Sequence, residues 1–129
     1  MECVFCSIVS TDEPHHSRIW ESESHIAFLD HNPVTDGHTL VIPKYHKENV
    51  LDLDESEYRD LMDASRTVAL VLKERLAPKV VVFTLEGLSV PHVHMHLIPQ
   101  PPHEDFLKFT HDESAKERIS TTASKLRVT

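Results

Sequence analysis

Histidine and apolar residues alternate along Pro91-His-Val-His-Met-His-Leu-Ile-Pro99, and this pattern constrains the fold more than any other feature of the chain. Side chains of a β-strand point alternately to the two faces of its sheet, so the pattern predicts a strand with three imidazoles on one face. The apolar side chains between them point the other way and can pack on a helix. A row of imidazoles makes a poor hydrophobic core. The three histidines are His92, His94 and His96.

The histidine row has three interpretations. A solvated face is one, but solvation gives no reason to prefer histidine over Thr, Lys or Glu at three successive positions. Three zinc ligands on one strand are a second interpretation, because that arrangement is one way to build a catalytic zinc site. The third is a nucleophilic histidine between two helpers, since neutral imidazole can attack phosphorus while a neighbouring ring or carbonyl fixes its tautomer.

The rest of the chain predicts a single domain of mixed helices and strands. Apolar or β-branched runs between turn signals predict five strands: residues 17–20, 25–29, 38–42, 79–85 and about 92–98. A long helix is predicted after Asp54, which forms a capping box with Glu57, and Pro78 ends it. Thr110 and Glu113 predict a second capping box, which opens a C-terminal helix.

These elements predict an α+β domain over residues 1–129, with a mostly antiparallel five-stranded sheet, a central helix and a C-terminal helix. The core is expected over about residues 3–100, and residues 101–129 form a tail that carries the last helix.

Composition excludes several classes of function. Thirteen Lys and Arg residues against 21 Asp and Glu residues give a net charge of −8, which speaks against a nucleic-acid partner. Two glycines are too few for a Gly-rich phosphate loop. The chain has neither a bilayer-spanning apolar run nor the basic and apolar regions of a signal peptide, so we expect a cytoplasmic protein with no membrane partner. The two cysteines, at C-x-x-C spacing, then indicate a metal or redox pair before a disulfide.

The segment His92-Val-His-Met-His-Leu-Ile resembles the signature of the histidine triad (HIT) family of nucleotide hydrolases and transferases. Ala27-Phe-Leu-Asp30, Pro33, the segment Gly37-His-Thr-Leu-Val-Ile-Pro-Lys-x-His46 and the N-terminal Cys-x-Phe-Cys-x-Ile are also similar to that family, so the resemblance covers about residues 3–100. It implies a homodimer that pairs through the central strand and helix. It also implies cleavage of an AMP-containing purine nucleotide at its α-phosphate.

The resemblance assigns a role to individual residues. His94 is implied as the nucleophile that forms a nucleotidyl-histidine intermediate, His96 as a contact of the α-phosphate, and His38 as the residue that orients the nucleophile. Asp30 is implied to bind the ribose hydroxyls, and Ser89 to contact the phosphate or the leaving group. The implied apolar clamp around the base consists of Phe5, Ile8, Phe28 and Leu29.

The cysteine pair supplies half of a tetrahedral zinc site. In zinc-binding members of the resembled family, two histidines complete the site, and the matching residues here are His46 and His92. The resemblance therefore implies a structural zinc on Cys3, Cys6, His46 and His92, with no catalytic metal required. A redox pair and two idle thiols are the alternatives.

The chain departs from the family pattern just before the triad, where Glu86-Gly-Leu-Ser-Val-Pro91 replaces a longer Gly-rich loop. Glu86 would repel a long polyphosphate if it faced the pocket, and Lys44 is a candidate to offset its charge. The expected activity is hydrolysis of adenosine phosphoramidates or dinucleoside polyphosphates through His94. The alternatives are nucleotidyl transfer to another acceptor, a purine-nucleotide-binding module without turnover, and a zinc-dependent hydrolase.

Overall fold

A computed structural model describes residues 3–11, 17–102 and 110–128 of the chain. Its centre is a five-stranded sheet in the order β1-β2-β3-β5-β4, in which all neighbouring strands are antiparallel. The strands are β1 (Arg18–Glu21), β2 (His25–Leu29), β3 (Thr39–Pro43), β4 (Val80–Thr84) and β5 (Met95–Gln100). The helices are α1 (Val4–Ser10), α2 (Glu55–Leu76), α3 (Glu113–Glu117) and α4 (Ile119–Leu126), with a 3₁₀ turn at Val50–Asp52. The predicted α+β class and antiparallel sheet are confirmed.

The two faces of the sheet carry separate hydrophobic clusters, because successive side chains of each strand alternate between them. One face packs on α2 and α4 through buried residues that include Ala27, Leu29, Val41, Met95 and Leu97. The other face packs on α1 through Phe5, Ile26, Phe28, Leu40 and Ile42. His96 pairs with Leu40 across β3 and β5, so this histidine belongs to the α1 face.

The last strand begins later than the alternating pattern predicts. The sequence predicts a strand from about His92, whereas β5 runs from Met95 to Gln100. The backbone N–H of Val93 donates to the carbonyl of Lys47 at 2.7 Å, so the chain just before β5 bonds to the loop after β3 and not to β3 itself. Pro99 does not end the strand. Pairing of β5 with β3 stops at Leu97, whereas pairing with β4 continues past Pro99. The missing N–H of Pro99 therefore costs no hydrogen bond to β3.

The central helix begins and ends where the sequence predicts. Asp54 and Glu57 form the capping box, and Ala77 closes the helix in the left-handed conformation (φ 47°) before Pro78. In contrast, the helix α1 is absent from the sequence prediction. Its signal is the helical spacing of Phe5, Ile8 and Val9, which pack on the sheet.

The predicted capping box of Thr110 and Glu113 is wrong. Asp112 caps the helix instead, and its carboxylate accepts hydrogen bonds from Ser114 N at 3.0 Å and Ala115 N at 3.1 Å. The C-terminal helix is also broken at Arg118 into α3 and α4. None of the helices in the described part of the chain is both long enough and apolar enough to cross a membrane.

Candidate functional site

Three histidines from the neighbouring strands β3 and β5 and the residues just before them meet on the α1 face of the sheet. His94 lies just before β5, His96 lies within it, and His38 precedes β3. The ring centroids of His94 and His96 are 5.0 Å apart, and those of His38 and His96 are 5.2 Å apart. His38 and His94 are buried, whereas His96 is partly exposed at the mouth of the site.

The backbone fixes the tautomer of His94. Its Nδ1 lies 2.7 Å from the carbonyl oxygen of His92, and a carbonyl only accepts, so Nδ1 carries the proton. The Nε2 atom is therefore left with a free lone pair. Burial lowers the pKa of His94 below its ordinary value, which keeps the ring neutral near physiological pH. A neutral imidazole with a free Nε2 lone pair is the form that can act as a nucleophile.

A second chain of hydrogen bonds fixes the tautomers of the other two rings. The backbone N–H of Val34 donates to Nδ1 of His38 at 3.0 Å, so the proton of neutral His38 lies on Nε2. That Nε2–H donates to Nδ1 of His96 at 2.9 Å, which leaves the proton of His96 on its own Nε2. Burial lowers the pKa of His38 to about 4, so the ring is neutral at pH 7. The Asp30 carboxylate lies 3.5 Å from the same His38 Nε2.

The lone pair of His94 and the N–H of His96 face one small volume. Oε1 of Glu86 lies 3.7 Å from Nε2 of His94 and 3.4 Å from Nε2 of His96. One nitrogen in this volume can attack and the other can donate a hydrogen bond to an oxygen. His92 does not join them, because its Nδ1 lies beside the sulfur atoms of Cys3 and Cys6. This separation speaks against a zinc site built from all three histidines of the row.

Aromatic and aliphatic side chains line the site next to His94. The Phe5 ring stands edge-on to His94 at 5.0 Å and to Phe28 at 5.6 Å between centroids. Ile8 packs on the same cluster. The structure does not bring Leu29 to this wall, since Leu29 is buried in the cluster on the opposite face of the sheet. Adjacent residues of a strand cannot line the same face, and that alternation was the signal available in the sequence.

The two remaining predicted binding residues lie in loops. Asp30 follows β2, is partly buried, and accepts a hydrogen bond from the backbone N–H of Asn32 at 2.9 Å through Oδ1. Ser89 is exposed in the loop between β4 and β5. The main-chain groups that set the tautomers are not evident from the sequence. They are the N–H of Val34 and the carbonyls of His92 and Pro43.

The four predicted metal ligands meet beside this site. The ligand atoms of Cys3, Cys6, His46 and His92 all lie within 4.8 Å of one another. His92 Nδ1 is 3.4 Å from Cys3 Sγ and 3.5 Å from Cys6 Sγ. His46 Nδ1 is 3.2 Å from Cys6 Sγ. The four residues come from the start of the chain, the loop after β3 and the segment before β5.

The geometry and chemistry of this cluster fit zinc. Zinc bonds of about 2.0–2.3 Å to nitrogen and sulfur place tetrahedral ligand atoms about 3.3–3.8 Å apart, close to the separations seen here. His92 Nε2 donates to the carbonyl of Pro43 at 2.9 Å, so Nδ1 is unprotonated and faces the thiols. Both cysteines are free. The cluster therefore has the donor set and the orienting hydrogen bond of a structural zinc site.

The chain is similar to known proteins over most of its length. A family model described as "HIT domain" matches residues 11–103. Protein hit of Bacillus subtilis is 38% identical over 104 residues, which is 76% of this chain and 70% of that relative. The crystal structure of a Zn-bound histidine triad family protein from Mycobacterium smegmatis has a TM-score of 0.76 at 31% identity and covers 98% of this chain and 96% of that chain. A hypothetical histidine triad nucleotide-binding protein from Sulfolobus tokodaii has a TM-score of 0.77 at 30% identity, over 96% of this chain and 91% of that chain.

Proposed function

The chain belongs to the histidine triad (HIT) family, and from this premise we propose that it hydrolyses nucleotides at the α-phosphate through a nucleotidyl-histidine intermediate on His94. The substrates are adenosine phosphoramidates or dinucleoside polyphosphates. One observation carries the proposal: the unprotonated Nε2 of buried His94 and the protonated Nε2 of His96 converge on one small volume.

In the first step, the lone pair of His94 Nε2 forms a bond to the α-phosphorus. The bond to the leaving group breaks, and the leaving group departs with its electron pair. An amine takes up one proton from water as it leaves, whereas a polyphosphate leaves as the anion. The His96 N–H donates to a non-bridging phosphoryl oxygen and stabilises the charge that develops there. The carbonyl of His92 stabilises the cationic ring of His94 through the Nδ1–H bond.

In the second step, water attacks the same phosphorus and the bond to His94 Nε2 breaks. AMP is released, the lone pair returns to His94, and the attacking water gives up one proton to solvent. Two displacements replace one difficult displacement, which is the advantage of a covalent intermediate. His38 acts as a positioning residue, because its Nε2–H holds His96 with its proton directed at the substrate.

The substrate is held by the walls on either side of His94. Phe5, Ile8 and Phe28 form the apolar side of the pocket against the base. The Asp30 carboxylate accepts hydrogen bonds from the ribose hydroxyls, and Ser89 contacts the leaving-group side. Leu29 is left out of this clamp because it faces the other side of the sheet.

Cys3, Cys6, His46 and His92 would hold a structural zinc ion. When bound, zinc supplies a cross-link between the N-terminal segment, the loop after β3 and the segment before β5. The relative from Mycobacterium smegmatis, which is described as Zn-bound, supports this assignment. His94 is not among the four ligands, so its Nε2 stays available for attack.

We also propose a homodimer that pairs through α2 and β4, in place of the central strand that the resemblance implies. The strand β4 lies at the edge of the sheet, where unpaired backbone groups can pair with another chain. Large apolar side chains stay exposed on both elements: Tyr58 (45%), Leu70 (46%), Val80 (52%) and Phe83 (39%). Sedimentation analysis is expected to give twice the chain mass for the wild type and the chain mass for Leu70→Glu. A monomeric wild type at micromolar concentration would contradict the dimer.

Rapid acid-free quenching of a turnover mixture, followed by intact-protein mass spectrometry, tests the intermediate. The wild type is expected to show a transient adduct of one nucleotidyl group, and His94→Gln is expected to show none while it still binds AMP. Binding without any turnover by the wild type would identify a binding module instead. Adduct formation with transfer to an added amine or phosphate in preference to water would identify a transferase.

A further inference from the structure

The loop between β4 and β5 places a carboxylate against both catalytic nitrogen atoms. Oε1 of Glu86 lies 3.7 Å from His94 Nε2 and 3.4 Å from His96 Nε2. The other carboxylate oxygen, Oε2, accepts a hydrogen bond from the backbone N–H of Leu88 at 2.9 Å across the turn at Gly87. The side chain is therefore held at both oxygens, at Oε2 by its own loop and at Oε1 by the Nε2–H of His96.

No lysine or arginine among the described residues forms an ion pair with this carboxylate. The Leu88 N–H and the His96 ring keep the pKa of Glu86 below its ordinary value, so the group is ionised at neutral pH. Lys44 does not offset it, because its Nζ lies 2.6 Å from Glu21. Lys47 pairs with Glu57 at 3.5 Å. In the parts of the chain that the structure describes, the only ion-pairing contacts of Glu86 are with the rings of His94 and His96, which neutralise the carboxylate only when they are protonated.

Glu86, His94 and His96 also have the spacing of a metal site, but the tautomers disfavour one. His96 accepts a hydrogen bond from His38 Nε2–H at its Nδ1, so its own proton lies on Nε2. A cation there would require His96 to lose that proton. The Nε2–H is instead suited to a negatively charged oxygen, which the Glu86 carboxylate supplies. Oε1 therefore lies where an oxygen of the α-phosphoryl group would bind.

Resting on the proposed function, we propose that Glu86 is a specificity-determining residue that favours a positively charged amine leaving group over a polyphosphate. The α-phosphoryl group must displace Oε1 from the two Nε2 atoms. The short loop keeps the displaced carboxylate beside the bond that breaks. A polyphosphate adds negative charges next to this carboxylate, whereas a leaving group with an ammonium group adds a positive one.

The size of the effect follows from Coulomb's law. One unit charge about 6 Å from the carboxylate, at an effective dielectric constant of about 40, changes a rate or binding constant about tenfold. The test compares the wild type with Glu86→Gln on three substrates. They are an adenosine phosphoramidate of a diamine, the phosphoramidate of a neutral amine of equal length, and a diadenosine polyphosphate. Glu74→Gln removes one exposed carboxylate from α2, on the other side of the sheet, and serves as the matched control.

For each protein, kcat/KM for the diamine phosphoramidate is divided by kcat/KM for the neutral-amine phosphoramidate. This ratio is expected to be about tenfold lower in Glu86→Gln than in the wild type. The kcat/KM of Glu86→Gln for the polyphosphate is expected to rise by a similar factor, and Glu74→Gln is expected to change neither. Unchanged ratios in an active Glu86→Gln enzyme would overturn the inference and leave the proposed function intact.

If the wild type hydrolyses none of the three substrates, the proposed function fails, and equilibrium binding decides the inference. The wild type is then expected to bind ATP more weakly than AMP, and Glu86→Gln is expected to reduce that difference about tenfold. Equal differences in the two proteins would overturn it.

Discussion

Acidification is expected to destabilise the fold through the buried His38. In the folded chain its Nδ1 accepts from Val34 N at 3.0 Å, and burial holds its pKa at about 4. In the unfolded chain the pKa returns to about 6.5. Between these two values the unfolded state binds more protons, so stability falls as the pH drops from about 6.5 to about 4 and stays constant above that window. From pH 7 to pH 5, His38 alone accounts for a loss of about 2 kcal/mol.

Urea unfolding of the wild type and His38→Gln at pH 7 and pH 5 measures this contribution. The glutamine amide can still accept from Val34 and donate to His96, but it does not titrate. Chelator in all samples makes zinc release equal in the two proteins. Between pH 7 and pH 5, the unfolding free energy of the wild type is expected to fall by about 2 kcal/mol more than that of His38→Gln. An equal loss in both would refute the assignment of a neutral, buried His38.

Three further changes test the packing, the helix cap and the metal cluster. Gly37→Ala is expected to lower the unfolding free energy by about 2–3 kcal/mol, since Gly37 has φ +87° and a Cβ would lie 2.5 Å from Leu76 Cδ1. Gly87→Ala (φ +63°, no atom within 4 Å) is the control with backbone strain alone, and an equal loss there would contradict the packing argument. Asp54→Ala is expected to cost about 1 kcal/mol in urea unfolding through loss of the α2 cap. Cys3→Ser is expected to lose bound zinc by elemental analysis, and unchanged zinc content would contradict the site.

Local sequence signals predict most of the fold. The β-branched runs and the capping box at Asp54 are local signals, and they place the strands to within a few residues. The start of β5 is not a local property. It depends on the bond from Val93 to Lys47, which joins segments far apart in the sequence. The cap at Asp112 is not evident from the sequence because Thr110 and Glu113 match a capping box two residues earlier, whereas Asp112 has Ala115 at the corresponding position.

The sequence predicts which residues form the site but not which ring nitrogen of each histidine carries the proton. The alternating histidines and the resemblance to the HIT family identified the residues that meet here. Which nitrogen carries each proton depends on the Val34 N–H and the His92 carbonyl, and main-chain groups leave no mark in a sequence. The direction of the Glu86 side chain depends on how the short loop folds. From the sequence alone, repulsion of a polyphosphate is therefore expected only on the condition that Glu86 faces the pocket. Leu29 does not join the clamp that the resemblance implies, because adjacent strand residues face opposite ways and Leu29 lies on the other face from Phe28.

The most direct test of the account is AMP release from an adenosine phosphoramidate and a diadenosine polyphosphate by the wild type and His94→Ala, each with and without chelator. The account predicts release by the wild type that persists after metal removal and is lost in His94→Ala, while AMP binding survives the substitution. Equal release by His94→Ala, or wild-type release that stops with metal removal while the protein stays folded, would contradict a metal-free histidine nucleophile.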